Sequence, residues 1–95
     1  MTLIWSDLAI QHLNEIIAYI TTENPPAARR VAERIVSLAE SVLIDQPMIG
    51  RPGRVPDTRE LVVTQTPYII AYRIDPDVIT IVAVIHGARK WPSSL

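Results

Sequence analysis

The hydrophobic pattern changes period around a proline-rich stretch at 45–58, and that change constrains the fold more than any other feature. From Ala9 to Val42 the apolar residues recur at steps of three and four, whereas beyond 58 they come in β-branched and aromatic runs. The first spacing puts apolar side chains on one face of a helix, and the second belongs to strands. An α+β fold follows, with helices in the first half and most of a sheet in the second.

The boundaries of the elements are written in their flanking residues. Thr2-Leu3-Ile4-Trp5 is a short apolar run that reads as a strand, and Ser6-Asp7 then supplies an N-cap and an acid in the first turn. From Asp7 to about Thr22, Ala9, Leu13, Ile16, Ile17 and Ile20 share one helical face, while Gln11, His12, Asn14 and Glu15 take the other. His12 is therefore expected to be exposed. Asn24-Pro25-Pro26 stops this helix and starts another, since proline in a first turn lacks only an N–H that has no partner there. Ala28, Val31, Ile35, Leu38 and Val42 form the buried stripe of the second helix, with Arg29 and Glu33 spaced to pair on the outer side. So short a link predicts an antiparallel hairpin.

Residues 45–58, DQPMIGRPGRVPDT, carry three prolines and two glycines without periodicity and read as a loop. Three strands follow at Arg59–Thr64, Tyr68–Ile74 and Val78–His86, the last two joined by a turn at Asp75-Pro76-Asp77. The unbroken apolarity of Val78–His86 marks a central strand buried on both faces. The order is β-α-α-β-β-β, a helical hairpin on a small, mainly antiparallel sheet, with the first strand beside the central one. A chain of 95 residues has material for one core, so residues 1–95 are expected to form a single domain.

Composition narrows the chemistry. Cysteine is absent, which removes disulfides, thiolate nucleophiles and thiolate metal sites, and neither metal nor cofactor is expected. No apolar run reaches the roughly 20 residues that span a bilayer, and the N-terminus lacks the basic region of a secretory signal, so a soluble cytoplasmic protein without membrane partners is expected. The net charge of -1 conceals an asymmetry: residues 1–45 hold three Arg against six acids, and residues 46–95 hold six Arg and Lys against four. Such a balance does not suit a protein that binds by neutralising many phosphates.

Four stretches, IWSDLAIQHLNEIIAYI, IGRPGRVPDTRELVV, YIIAYRIDPDVITI and VIHGARKWP, in this order and at this length, resemble the RelE/ParE toxins of type II toxin–antitoxin systems. They cover nearly the whole chain. The resemblance implies a toxin that arrests growth when free and forms a hetero-oligomer with a cognate antitoxin, whose C-terminal segment covers the helical hairpin and sheet edge. DNA contact is implied only through that complex. Two activities occur in the superfamily: RelE-like members cleave mRNA on the ribosome, and ParE-like members poison DNA gyrase without a defined catalytic site. A third reading is a non-toxic relative serving as an antitoxin-binding co-repressor.

RNA cleavage without a metal needs a proton acceptor, cations for the phosphate and an acid for the leaving oxygen. Arg54, Arg59 and Arg73 offer charge, while His86, Tyr68 and Tyr72 can move protons. Strand alternation, however, puts Arg73 with Ile69 and Ala71, and Tyr68, Ile70 and Tyr72 opposite, so the sets meet only across a bulge. For His86 the plainer reading is a strand-end ring satisfied by a hydrogen bond, and for Tyr68 and Tyr72 a place in the core. Arg51, Arg54 and Arg59 are either a solvated, proline-stiffened loop or a cationic patch, joined by Arg73, Arg89 and Lys90, that meets target or antitoxin. Trp91 either closes the core or faces a partner. RelE-like members carry a lysine-rich middle section and often a Tyr or His near the C-terminus. Here Lys90 is the single lysine and no tyrosine follows Tyr72, while HGARKW resembles the ParE ending. The ParE branch is therefore preferred.

Overall fold

The computed structural model describes residues 1–95. Strand β1 (Thr2–Trp5) leads into helix α1 (Asp7–Thr21), helix α2 (Pro25–Leu38) follows, and the chain ends in strands β2 (Arg51–Pro52), β3 (Arg59–Val62), β4 (Tyr68–Ile74) and β5 (Val78–His86). The five strands lie in the order β1-β5-β4-β3-β2. All neighbouring pairs are antiparallel except β1 with β5, which run parallel. The expected α+β class, the helical hairpin and the place of β1 beside the central strand are all observed. No helix is long and apolar enough to cross a membrane.

Both helices begin where local chemistry dictates. The Ser6 hydroxyl accepts from the Ala9 N–H at 3.0 Å, and the Asn24 carboxamide accepts from the Ala27 N–H at 3.1 Å. The face the helices turn inward carries Ala9, Ile16 and Ile35, which pack on Ile70, Tyr72, Ile79, Ile81 and Val84 of the sheet. The opposite face of the sheet is covered less deeply. There Ala71, Val82 and Ala83 are buried beneath Ile85, Trp91 and Leu95.

Several expectations are corrected. The second helix does not run in α form to Val42: it ends at Leu38, and Ala39–Leu43 form a π turn that brings both Ala39 and Leu43 into the core. The 45–58 stretch is more ordered than a loop, with a 3-10 turn at Pro47–Ile49 and the edge strand β2 on β3. Proline suits such an edge, where one side of the strand needs no donor. Strand β3 stops at Val62 rather than Thr64. Arg29 and Glu33 do not pair; the ion pairs are those of Arg51 and Arg54 with Glu60. An exposed pair on a helix gains only a few tenths of a kcal/mol, too little to hold two long side chains together.

The β4–β5 ladder skips one residue. Ala71 lies opposite Ala83 and Tyr72 opposite Ile81, so Val82 is extra on β5. The bulge falls on β5, which leaves the alternation of β4 intact. It also turns two successive carbonyls, Ile81 and Val82, toward the end of β1, where the Ser6 N–H takes the first at 2.9 Å and the Ser6 hydroxyl donates to the second at 3.1 Å.

Candidate functional site

The sheet has two faces, and the sequence-derived site residues are divided between them. On the face away from the helices, Glu60 of β3 is only 3% exposed, opposite Ala71. Its carboxylate gathers the 51–54 segment: Arg51 donates to Oε1 at 3.0 Å, Arg54 donates through Nε to Oε2 at 3.1 Å, and the Arg54 backbone N–H reaches Oε2 at 2.8 Å. Burial raises the Glu60 pKa, but the bonds from the Arg54 side chain, its backbone N–H and Arg51 outweigh it and bring the group to about 2. The guanidinium of Arg54 in turn lies over the ring of Trp91, 4.0 Å from its centroid.

Trp91 thus caps the small apolar cluster of this face, and its buried indole N–H has no acceptor. Arg73, on the same face, donates to the Leu95 carbonyl at 2.9 Å. Lys90 is exposed. The fold therefore draws Arg51, Arg54 and Trp91 together around Glu60 and ties Arg73, on the same face, to the Leu95 carbonyl, leaving the indole N–H of Trp91 without a partner. Sequence reasoning passed over Glu60, the residue at the centre of this assembly. The available signal was alternation: in Arg59-Glu60-Leu61 the acid faces opposite to its neighbours, and Arg51 and Arg54 precede it within ten positions.

The helix-side face holds the others. Arg59 lies opposite Tyr72 and donates to the carbonyls of Gly50 at 3.0 Å and Met48 at 3.2 Å, closing the loop from outside. Tyr72 closes it from inside. Fully buried, it accepts from the Gly50 N–H at 2.9 Å and donates to the Pro47 carbonyl at 2.7 Å. A Cβ on Gly50 would lie 2.5 Å from that hydroxyl and 2.8 Å from the Glu60 carbonyl, so no larger residue fits.

At the far end of this face, α1, the Gln65–Pro67 turn and the ends of β4 and β5 enclose an open groove of about 670 Å³. His86 lines it, edge-on to Tyr68 with ring centroids 5.6 Å apart. The Ala88 N–H donates to His86 Nδ1 at 3.0 Å. His12, expected to be plainly exposed, is half-buried in the same groove, with the Val84 N–H donating to its Nδ1 at 3.3 Å. The reason is the early end of β1: past Trp5 there is no strand beside β5, and the imidazole supplies the missing acceptor. Arg89 sits at the groove rim. Burial raises the pKa of Tyr68, and the nearby Arg89 charge only partly opposes this. No group of three or more His, Cys, Asp or Glu side chains is placed to hold a metal ion.

Comparison with known proteins agrees with this architecture. Residues 3–91 match the family described as ParE toxin of type II toxin-antitoxin system, parDE. A putative toxin, Y4kP, of Sinorhizobium fredii is 47% identical over 91 residues, covering 96% of this chain and 93% of that protein. A protein named Toxin RelE2 of Caulobacter vibrioides is 37% identical over 86 residues, covering 90% and 94%. Among solved structures, a chain of the chromosomal ParDE system from P. aeruginosa superposes with a TM-score of 0.81 at 24% identity. A chain of the RelBE2 toxin–antitoxin complex from Mycobacterium tuberculosis superposes at 0.67, also with 24% identity. Each alignment covers 90% of this chain and 95% of the other.

Proposed function

Because the chain belongs to the ParE toxin family of type II toxin–antitoxin systems, we propose that in its free form it poisons DNA gyrase and that a cognate antitoxin silences it by binding. One observation favours this over RNA cleavage: the four side chains that cleavage would call on do not converge. Arg54 and Arg73 lie on the outer face, tied to Glu60 and to the Leu95 carbonyl. Arg59 and His86 lie on the helix side, one holding the 48–50 loop and the other closed on the Ala88 N–H. A reacting phosphate must be within hydrogen-bond reach of its base and its cations together. A protein target needs only a surface.

The test is direct. Purified toxin, gyrase, ATP and plasmid should yield less supercoiled product and, after detergent and protease treatment, linear DNA from trapped breaks; unchanged supercoiling without breaks overturns the proposal. The relative named RelE2 supports a second reading, ribosome-dependent mRNA cleavage, for which new cuts at codon spacing in primer extension after induction are the signature. The antitoxin is expected to be the product of an adjacent reading frame. Its co-purification with the tagged toxin checks that part separately.

A further inference from the structure

The groove beside α1 carries two imidazoles whose roles the toxin reading leaves unused. Each ring has its Nδ1 occupied as an acceptor from a backbone N–H, Val84 for His12 and Ala88 for His86. The neutral ring then carries its proton on Nε2, so both histidines present N–H donors rather than bases. Neither can act as a general base without giving up its backbone bond. Arg89 adds a cation at the rim, and the Tyr68 hydroxyl, its pKa raised by burial, keeps its proton as a further donor. The groove wall beneath is apolar, built from Ile16, Ile20, Val31 and Val84.

A ligand for this site needs an acceptor end and an apolar body. Its charge is limited by the lining itself, in which Arg89 is the single Arg or Lys and Glu15 brings an opposite charge. A polyanionic nucleic-acid strand would find too little compensation there, since such binding rests on several cations. A lone carboxylate needs only the donors already in place. We infer that the groove between α1 and the ends of β4 and β5 is a receptor for one acidic side chain of an otherwise apolar peptide segment, its carboxylate held by the His12 and His86 Nε2–H groups. In naming the antitoxin as the source of that segment, the inference rests on the toxin–antitoxin reading.

The probe is an acetylated, amidated five-residue peptide with one central glutamate flanked by leucines, compared with its glutamine counterpart. Titration into the labelled protein should move the Nε2 resonances of His12 and His86 saturably, and the glutamate peptide should bind at least about tenfold more tightly. His12→Asn and His86→Asn keep an acceptor where Nδ1 sits but remove the donor, and each should abolish that preference. His86→Gln restores a donor near Nε2 and should recover it. Equal binding of the two peptides, or shifts confined to the Arg54–Trp91 face, overturns the inference. So does inorganic phosphate that displaces the peptide while binding more tightly itself, which would make the groove a phosphate site. The antitoxin arm separates the two levels. If wild-type toxin captures the antitoxin and the double Asn variant captures it equally well, the groove assignment fails while the pair stands. If even wild-type toxin captures no antitoxin, the toxin–antitoxin reading is what fails.

Discussion

Replacing Glu60 by glutamine removes the one carboxylate on which the outer-face assembly converges. The amide fills nearly the same space, but its NH2 group faces guanidinium donors where an acceptor stood, and the ionic component of five hydrogen bonds from Arg51 and Arg54 is gone. The size of the loss follows from the titration. Glu60 falls from an ordinary value of 4.5 to about 2 in the folded protein, and at about 1.36 kcal/mol per unit this corresponds to about 3 kcal/mol. The Arg51 and Arg54 side chains are 55% and 43% exposed, so solvent screening reduces the expected loss to about 2–3 kcal/mol. Because the folded pKa is depressed, this contribution is complete above 4.5 and disappears as the pH falls toward 2. Urea unfolding at pH 7 should therefore show Glu60→Gln less stable by that amount with an unchanged slope, and the stabilities of wild type and variant should converge as the pH approaches 2. Wild type and variant share every other ionisable group, so the difference isolates Glu60. A variant within about 0.5 kcal/mol of wild type at pH 7, or a gap that stays constant down to pH 2, would refute the reasoning.

Other expectations follow from single contacts. Tyr72→Phe leaves the Gly50 N–H and the Pro47 carbonyl without their shared partner and should cost about 1–3 kcal/mol in urea unfolding; a neutral result would mean that water replaces the hydroxyl. Ser6→Ala removes both the α1 cap and the donor to the Val82 carbonyl, and a cost of about 1–3 kcal/mol should lower Tm by at least about 4 °C. Tyr68 holds its proton above the usual 10, so the stability it contributes is present below that pH and is lost as pH rises from 10 toward the raised folded value. Stability curves measured from pH 9 to 11 should fall more steeply for wild type than for Tyr68→Phe, and parallel curves would refute the assignment.

What could be read in the sequence was what depends on near neighbours. Ser6 and Asn24 start their helices through hydrogen bonds three residues away, and the apolar run Val78–His86 marks the strand covered on both faces. What could not be read depends on where a distant segment ends. His12 lies on the polar side of α1 by period, yet it is half-buried because β1 stops one residue before Ser6 and leaves the Val84 N–H open. Arg51–Pro52 carries no strand signal and pairs with β3 because Glu60 and Tyr72 hold the loop from both sides. Glu60 gives no sign of burial by residue type, since glutamate is rarely buried without partners. Only the arrival of Arg51 and Arg54 makes its burial tolerable.

Strand parity carries the functional argument furthest. Along β4, Tyr68, Ile70 and Tyr72 face the helices while Ile69, Ala71 and Arg73 face away, and Tyr68 sits opposite His86 on β5. The bulge at Val82 was the one feature able to bring the two sets together. It lies on β5 between Ile81 and Ala83 and restores helix-side packing at Val84, so His86 remains on the side opposite Arg73. The two faces can therefore be altered independently. Substitutions at Arg54 and Trp91 change the outer surface without touching the groove, and His12→Asn with His86→Asn does the reverse. If gyrase poisoning and antitoxin capture depend on different faces, each pair should abolish one activity and spare the other; a pair that abolishes both while the protein stays folded would show that target and antitoxin compete for a single surface.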